Sequence, residues 1–281
     1  MPSEFLPGLW VASYFFGYKY SAKSKEDEGK PAILTNLQDF AKSKEDEGKP
    51  AILTNLQGFP DAGKRAPLPG EQISFDYPWD KSSKKSMPIE VQQFKELDEY
   101  VLKQVDVKDS MENLVSALLK KAHSDLEKVR AIWMWTCHNI EYDVKAYHTE
   151  AKWITEPAEI FQFRKCVCSG YAAFFGKMCS IAGIECKKLS GFAKGKKKLK
   201  GFKNPNHSWN AVYLDGRWHL LDSTWGSGYV TNSSSKFVFC YNEFYFLTHP
   251  AFFIDNHFPE DPKWQLLKPA LTLEQYADDV Q

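Results

Sequence analysis

Residues 207–224 read HSWNAVYLDGRWHLLDST. Asp215-Gly216 is a two-residue turn signal flanked by runs rich in aromatic and aliphatic residues, which predicts an antiparallel hairpin. The predicted strands cover residues 207–214 and 217–224. A two-residue turn pairs Leu214 with Arg217. Continuing that register sets Trp209 opposite Asp222 and His207 opposite Thr224. Side chains two apart on a strand share a face, so His207 and Asp222 are expected as diagonal neighbours, roughly 7–8 Å apart between backbones. A carboxylate so placed can hold an imidazole in one tautomer and stabilise it when charged. Taken singly, His207 reads as an ordinary surface or core histidine, and Asp222 as a hydrogen-bonding group at a strand end.

Upstream, residues 165–170 read KCVCSG and lead into Tyr171, Phe174, Phe175, Met178 and Ile181. This predicts a turn followed by a buried helix over residues 169–182, closed by Gly183. Cys168 then sits at the helix N-terminus, where unpaired backbone N–H groups and the helix dipole favour a thiolate. A thiolate beside an imidazolium is an activated nucleophile. Cys168, His207 and Asp222 are therefore the candidate catalytic residues. A lone cysteine also reads as a small core residue, and Cys137, Cys179 and Cys186 are assigned that role.

Further towards the N-terminus, Val91, Phe94, Leu97, Val101 and Val105 recur at helical spacing. A second helix is predicted over residues 109–121, with Asp109 and Glu112 as a capping box. A third follows Ser124, capped with Glu127, and turns Leu126, Val129, Ile132, Trp133, Thr136 and Cys137 inward. Residues 139–143 break the helical pattern, and a short helix is expected from Pro157 to about Phe163. Residues 22–40 and 41–59 are near-identical 19-residue units, AKSKEDEGKPAILTNLQDF and AKSKEDEGKPAILTNLQGF, differing only at Asp39 and Gly58. Two units fall short of the three that a stacked repeat fold needs. Residues 1–87 are expected to be a flexible leader containing this duplication, with the Pro-rich run 59–88 as a linker. Order is expected from near Pro88, with one domain over residues 88–281.

The chain has 281 residues, 43% hydrophobic and 26% charged, in the ordinary range for a soluble globular protein. Lys plus Arg (36) equals Asp plus Glu (36), so net charge points to neither nucleic acid nor membrane. The apolar stretch from Leu6 to Phe16 lacks a basic flank and is too short for a membrane span. The six cysteines, with no secretory leader expected, read as reduced thiols in the cytoplasm. No CxxC pair occurs, and Cys166 and Cys168 are poorly spaced for one structural site, so no metal or cofactor is expected. Lys194, Lys196, Lys197, Lys198, Lys200 and Lys203 read as a solvated loop, or as a basic rim that draws acidic protein substrates. Only Phe202 interleaves them, so no nucleic-acid partner is expected.

Residues 165–172, KCVCSGYA, resemble the GVCxGYA motif of transglutaminase-like domains. Residues 206–212, NHSWNAV, and 218–226, WHLLDSTWG, resemble the histidine and aspartate strands of that family. Residues 130–143, RAIWMWTCHNIEYD, resemble its preceding helix and strand. Residues 244–250, FYFLTHP, and 257–267, HFPEDPKWQLL, resemble the tail of one subgroup, the kyphoscoliosis peptidase-like proteins. The resemblance covers residues from about 90 to 275. It implies an α+β, papain-like core with a nucleophile helix packed on an antiparallel β-sheet. It also implies Cys168 as nucleophile, His207 as general base and acid, and Asp222 as the group that orients His207.

One departure is Cys166, where the family usually has Gly: a side chain there either crowds the turn or offers Cys168 a redox partner. Relatives commonly continue into further β-rich domains, a partner-binding half that this chain is expected to lack. Oxyanion stabilisation is expected from backbone N–H groups at the helix start, with Trp133, Trp135 or Trp209 as an indole donor. The activity implied is acyl transfer from protein amides, to water in a peptidase or deamidase or to an amine in a transglutaminase. The alternative is a catalytically weak or inactive scaffold. For either, the resemblance implies a cytoplasmic, muscle-cytoskeletal setting at the sarcomeric Z-disc, with filamin-type partners.

Overall fold

The computed structural model describes residues 84–149, 153–194, 204–231 and 236–278. The duplicated segment, the leader and nearly all of the linker lie outside the described residues. So do the loop lysines from 196 to 203.

The helical layer comes first in the chain. A 3₁₀ turn, Val91–Phe94, runs into α1, Lys95–Gln104. Helix α2 spans Met111–Leu118 and buries Met111, Leu114, Val115 and Leu118. Its cap is Ser110, which accepts from the Asn113 backbone N–H, and not the expected Asp109. Asp109 instead accepts from the Asn113 side chain at 2.5 Å. Both residues are good caps, and sequence spacing alone does not choose between neighbours. Helix α3, Asp125–Asn139, starts with the expected Ser124–Glu127 capping box. From Val129 to Cys137 it is buried on every side, which marks it as the central helix of the core.

A two-stranded parallel pair joins β1, Glu141–Tyr142, to β2, Lys165–Cys166. Between them lie α4, Val144–Thr149, and α5, Pro157–Phe163, with Pro157 in the first turn as expected. Helix α6, Cys168–Ile181, follows at once, and Gly183 (φ 75°) lies just past its end. The main sheet is antiparallel, in the order β5-β4-β3-β8. Its strands are β3, Cys186–Ala193; β4, His207–Leu214; β5, Arg217–Leu221; and β8, His257–Pro259. The hairpin has the predicted turn, with positive φ at both Asp215 (49°) and Gly216 (79°). Its register is also as predicted from Leu214↔Arg217 to Asn210↔Leu221.

The second strand was expected to reach Thr224, and it stops at Leu221. Asp222 instead caps a short helix, α7, Ser223–Ser227, by accepting from the Thr224 and Trp225 backbone N–H groups. Capping is what an Asp does best when the chain can turn, and here it outweighs further ladder pairing. A small ribbon follows, β6 (Gly228–Val230) with β7 (Phe237–Phe239). Helix α8, Pro250–Phe253, leads to β8, and α9, Leu273–Asp278, ends the described chain.

Both faces of β4 are covered, which is why its burial is nearly continuous instead of alternating. On the α6 side, the Asn210 side chain donates to the Ala172 carbonyl at 3.0 Å. On the other side, Trp209 meets Phe253 and His257, at 6.0 and 5.0 Å between ring centroids. Gly191 lets β3 pass between these groups. A Cβ there would lie 2.2 Å from the Phe258 carbonyl oxygen and 2.4 Å from the Trp209 ring.

Lys85 and Ser86, at the end of the expected linker, are 2% and 0% exposed and belong to the folded body. Lys194 is not solvated either: its ammonium donates to the Tyr276 carbonyl at 2.6 Å and lies over that ring. Among the described residues no helix is long and apolar enough to cross a membrane.

Candidate active site

Three elements bring Cys168, His207 and Asp222 together. Cys168 is the first residue of α6 and is partly exposed. Its N-cap, Val167, offers no side-chain acceptor, and the Val167 carbonyl takes the N–H groups of Gly170 and Tyr171. The N–H groups ahead of them have no partner within the helix. His207 opens β4. Its Nε2 lies 2.7 Å from Asp222 Oδ2, closing the diagonal that the hairpin register predicts. Cys168 lies close enough to the His207 ring to contribute, after burial and Asp222, to its proton affinity.

Cys166 does not crowd the turn. It is 1% exposed, and its side chain fills the space left by Gly170, where a Cβ would meet Cys166 Cβ at 2.6 Å and its Sγ at 2.9 Å. Burial pushes the Cys166 thiol well up. All six cysteines are free. Among the indole candidates, Trp133 donates to the Tyr241 hydroxyl at 2.9 Å, and Trp135 stacks on Phe174. The Trp209 N–H, on the strand residue two after His207, is buried without a partner.

Sequence reasoning missed His257. It pairs into the sheet opposite Ala193, and its Nε2 lies 2.9 Å from the same Oδ2 of Asp222. The donor atoms of His207, Asp222 and His257 all lie within 4.8 Å of one another. Nitrogen–oxygen separations of 2.7 and 2.9 Å are those of proton-bridged pairs. The one local signal was the polar His257 at the head of the apolar HFP run, and nothing nearby in sequence shows what it faces.

The two histidines titrate in opposite directions. Burial opposes a charge on His207, but the charge and hydrogen bond of Asp222, aided by Cys168, outweigh it and push its pKa up to about 10. Burial penalises the Asp222 charge, yet His207 and then His257 hold its carboxyl well below the usual range. Burial dominates for His257 and brings it down to about 4. Burial likewise leads in taking His219 and His249, both fully enclosed, to about 4.

These shifts set a pH dependence of stability. His219, His249 and His257 take protons near 6.5 when unfolded but only near 4 when folded, so stability is lost as pH falls between those values. Each costs on the order of 1–2 kcal/mol by pH 5. His207 has the opposite sign: its contribution is full below 6.5 and is lost as pH rises towards about 10. Calorimetry should find the highest Tm near pH 6.5–7, with a fall on both sides. A flat Tm from pH 5 to 9 would contradict the assignment.

A small cleft of about 30 Å³ reaches His207. Tyr142, Tyr147, Asn206, Thr224, Trp225 and Val230 line the rest of it. Neutral and aromatic groups dominate this wall.

Residues 112–223 match the model of the Transglutaminase-like superfamily core. The chain is 51% identical over 215 residues to the "Kyphoscoliosis peptidase" of Mus musculus and to that of Homo sapiens, covering 75% of this chain and 32% of each relative. It is 29% identical over 181 residues to "Hillarin" of Drosophila melanogaster, covering 59% of this chain and 22% of that protein. The chain thus spans about a third of the length of the first of these relatives. A solved structure described as "Crystal structure of a TGase" is 19% identical, covering 48% of this chain and 33% of that one, with a TM-score of 0.31, too low to carry weight.

Proposed function

The chain belongs to the transglutaminase-like superfamily, and from that premise we propose that it is a cysteine-dependent acyl-transfer enzyme acting on protein amide bonds. Cys168 is the nucleophile in this reading, His207 the general base and acid, and Asp222 the group that orients His207. The observation that carries it is the Nε2–Oδ2 pair at 2.7 Å, buried behind a partly exposed cysteine at a helix start.

In the first step the Cys168 sulfur attacks the amide carbonyl, and its proton rests on His207. The oxyanion forms against the N–H groups at the start of α6, whose direction suits developing negative charge. His207 then passes its proton to the leaving amine as the C–N bond breaks, leaving a thioester on Cys168. Water or a second amine, deprotonated by His207, attacks the thioester and releases Cys168. Asp222 keeps the imidazole in one orientation and matches its charge throughout.

The relatives named as peptidases support hydrolysis as the outcome for this chain. A protein substrate in the muscle cytoskeleton, with filamin-type partners, is part of the same proposal.

The test incubates the chain with unfolded protein substrates, with and without a labelled primary amine, and reads the products by mass spectrometry. The parent should give cleaved, deamidated or amine-linked peptides, and Cys168→Ala none. Identical product maps for the two would overturn the reading.

A further inference from the structure

Asp222 receives four hydrogen bonds. Oδ1 accepts from the Thr224 and Trp225 backbone N–H groups at 2.8 and 3.1 Å, and Oδ2 faces His207 and His257 at 2.7 and 2.9 Å. That fills both lone pairs of each oxygen. Helix α7 fixes one end of the carboxylate. The other end is fixed only by the two histidines, and one of them belongs to the proposed reaction.

His257 is built to be the immobile partner. It is 1% exposed. Phe253 stacks on its ring at 4.2 Å, and Trp225, Trp209 and Tyr245 close the other sides at 4.6, 5.0 and 5.8 Å. Its backbone is held in β8 opposite Ala193, one edge of the sheet that also carries His207.

The titratable groups around it are few. Asp222 and His207 come from the hairpin, and Tyr245 comes from the turn before α8. Cys137 lies behind Asp222, and Cys168 lies beyond His207. A carboxylate oxygen can only accept, so the nitrogen facing it carries the hydrogen. In a neutral ring Nδ1 is then an acceptor, whereas the structure sets Asn256 Oδ1 against it at 2.5 Å, so the amide must be turned over. The amide orientation that turns NH₂ to Nδ1 turns the carbonyl to the Tyr245 hydroxyl, leaving no polar group in conflict.

We propose that His257 is a positioning residue for the site: its Nε2–H anchors Oδ2 of Asp222, so that His207 keeps its ring aimed at Cys168. The inference rests on the role given to His207 and Cys168 above and adds a second histidine to it. Without that donor, Oδ2 has one partner, and the carboxylate and the His207 ring can move together. The low proton affinity of His257 fits the role, because a neutral ring donates without competing with His207 for the charge.

Two substitutions separate donor from packing. His257→Phe keeps the aromatic ring and removes the N–H, whereas His257→Gln keeps an N–H and removes the ring. Should the Phe variant fail to fold, His257→Met replaces it as the form without a donor. The readout is the rate of Cys168 alkylation by iodoacetamide across pH 5–9, followed by peptide mass spectrometry on variants shown by calorimetry to be folded. The Phe variant should react about tenfold or more slowly at pH 7 with a displaced pH profile, while Gln stays within about threefold of the parent and keeps its profile.

A Phe profile identical to the parent, or a folded Gln variant as slow as Phe, overturns the inference. His207→Ala is run alongside. If it slows labelling while His257→Phe does not, only this inference fails. If His207→Ala leaves the rate unchanged, the underlying reading fails and takes this one with it.

Discussion

Asp98→Ala should destabilise the fold by about 3–5 kcal/mol, because it breaks a buried ion pair and leaves the Arg130 cation with Glu243 alone. Arg130 is 0% exposed in the middle of α3. Its guanidinium makes a two-pronged contact with Asp98, at 2.9 and 2.7 Å, and contacts both Glu243 oxygens at 2.8 Å. Phe94 and Phe246 flank it at 4.9 and 4.8 Å. Removing Asp98 leaves half of this fork without a carboxylate between two aromatic rings. At roughly 2–4 °C per kcal/mol for a domain of this size, Tm should fall by about 6–20 °C. The exposed Lys103–Glu99 pair, at 3.2 Å, is the natural control. Glu99→Ala should cost less than about 1 kcal/mol, since both groups already meet water. Similar Tm values for the two variants would show that the Arg130 cluster carries no special weight.

The second large effect is at Asp222. Every contact it makes is as an acceptor, and Asp222→Asn replaces one oxygen with a donor. If the amide NH₂ takes the Oδ1 place, it faces two backbone N–H groups and the cap of α7 is lost. If it takes the Oδ2 place, it faces the N–H groups of both histidines. Either orientation turns His207 away from the tautomer and charge that the proposed reaction needs. Turnover should drop by about 10⁴-fold, the scale seen when an orienting carboxylate is made neutral in a serine protease. The loss should come in the rate of the chemical step, with KM changed little, because Asp222 is fully buried and out of a substrate's reach. Activity within tenfold of the parent would remove Asp222 from the site.

The parts of this structure legible in the sequence are those governed by neighbours along the chain. The Asp215-Gly216 turn sets its own strand pairing, Ser124 and Glu127 cap a helix within one turn, and Pro157 marks another start. The adjacency of His207 and Asp222 followed from that local register. Its outcome depended on a change of element, since Asp222 leaves the strand to cap α7 while its other oxygen still meets His207.

What stayed hidden is held by distant partners. His257 reaches Asp222 only because β8 pairs with β3 from more than sixty positions downstream, and no periodicity near residue 257 encodes that pairing. Arg130 lies between Asp98 and Glu243 for the same reason. On a helix buried all round, a charged residue reads as an exception until its partners are known. Lys194 was grouped with the loop lysines by composition, and its burial depends on Tyr276, eighty-two residues away.

The central claim is that His207, held by Asp222, activates Cys168. It is tested most directly by the alkylation rate of Cys168 at pH 6, where a free thiol is almost wholly protonated. Site-resolved mass spectrometry separates Cys168 from the other five cysteines. The account predicts that Cys168 in the parent reacts at least about tenfold faster than a free thiol, and that His207→Ala brings it down to the free-thiol rate. A parent rate equal to that of a free thiol, unchanged by His207→Ala, would contradict it.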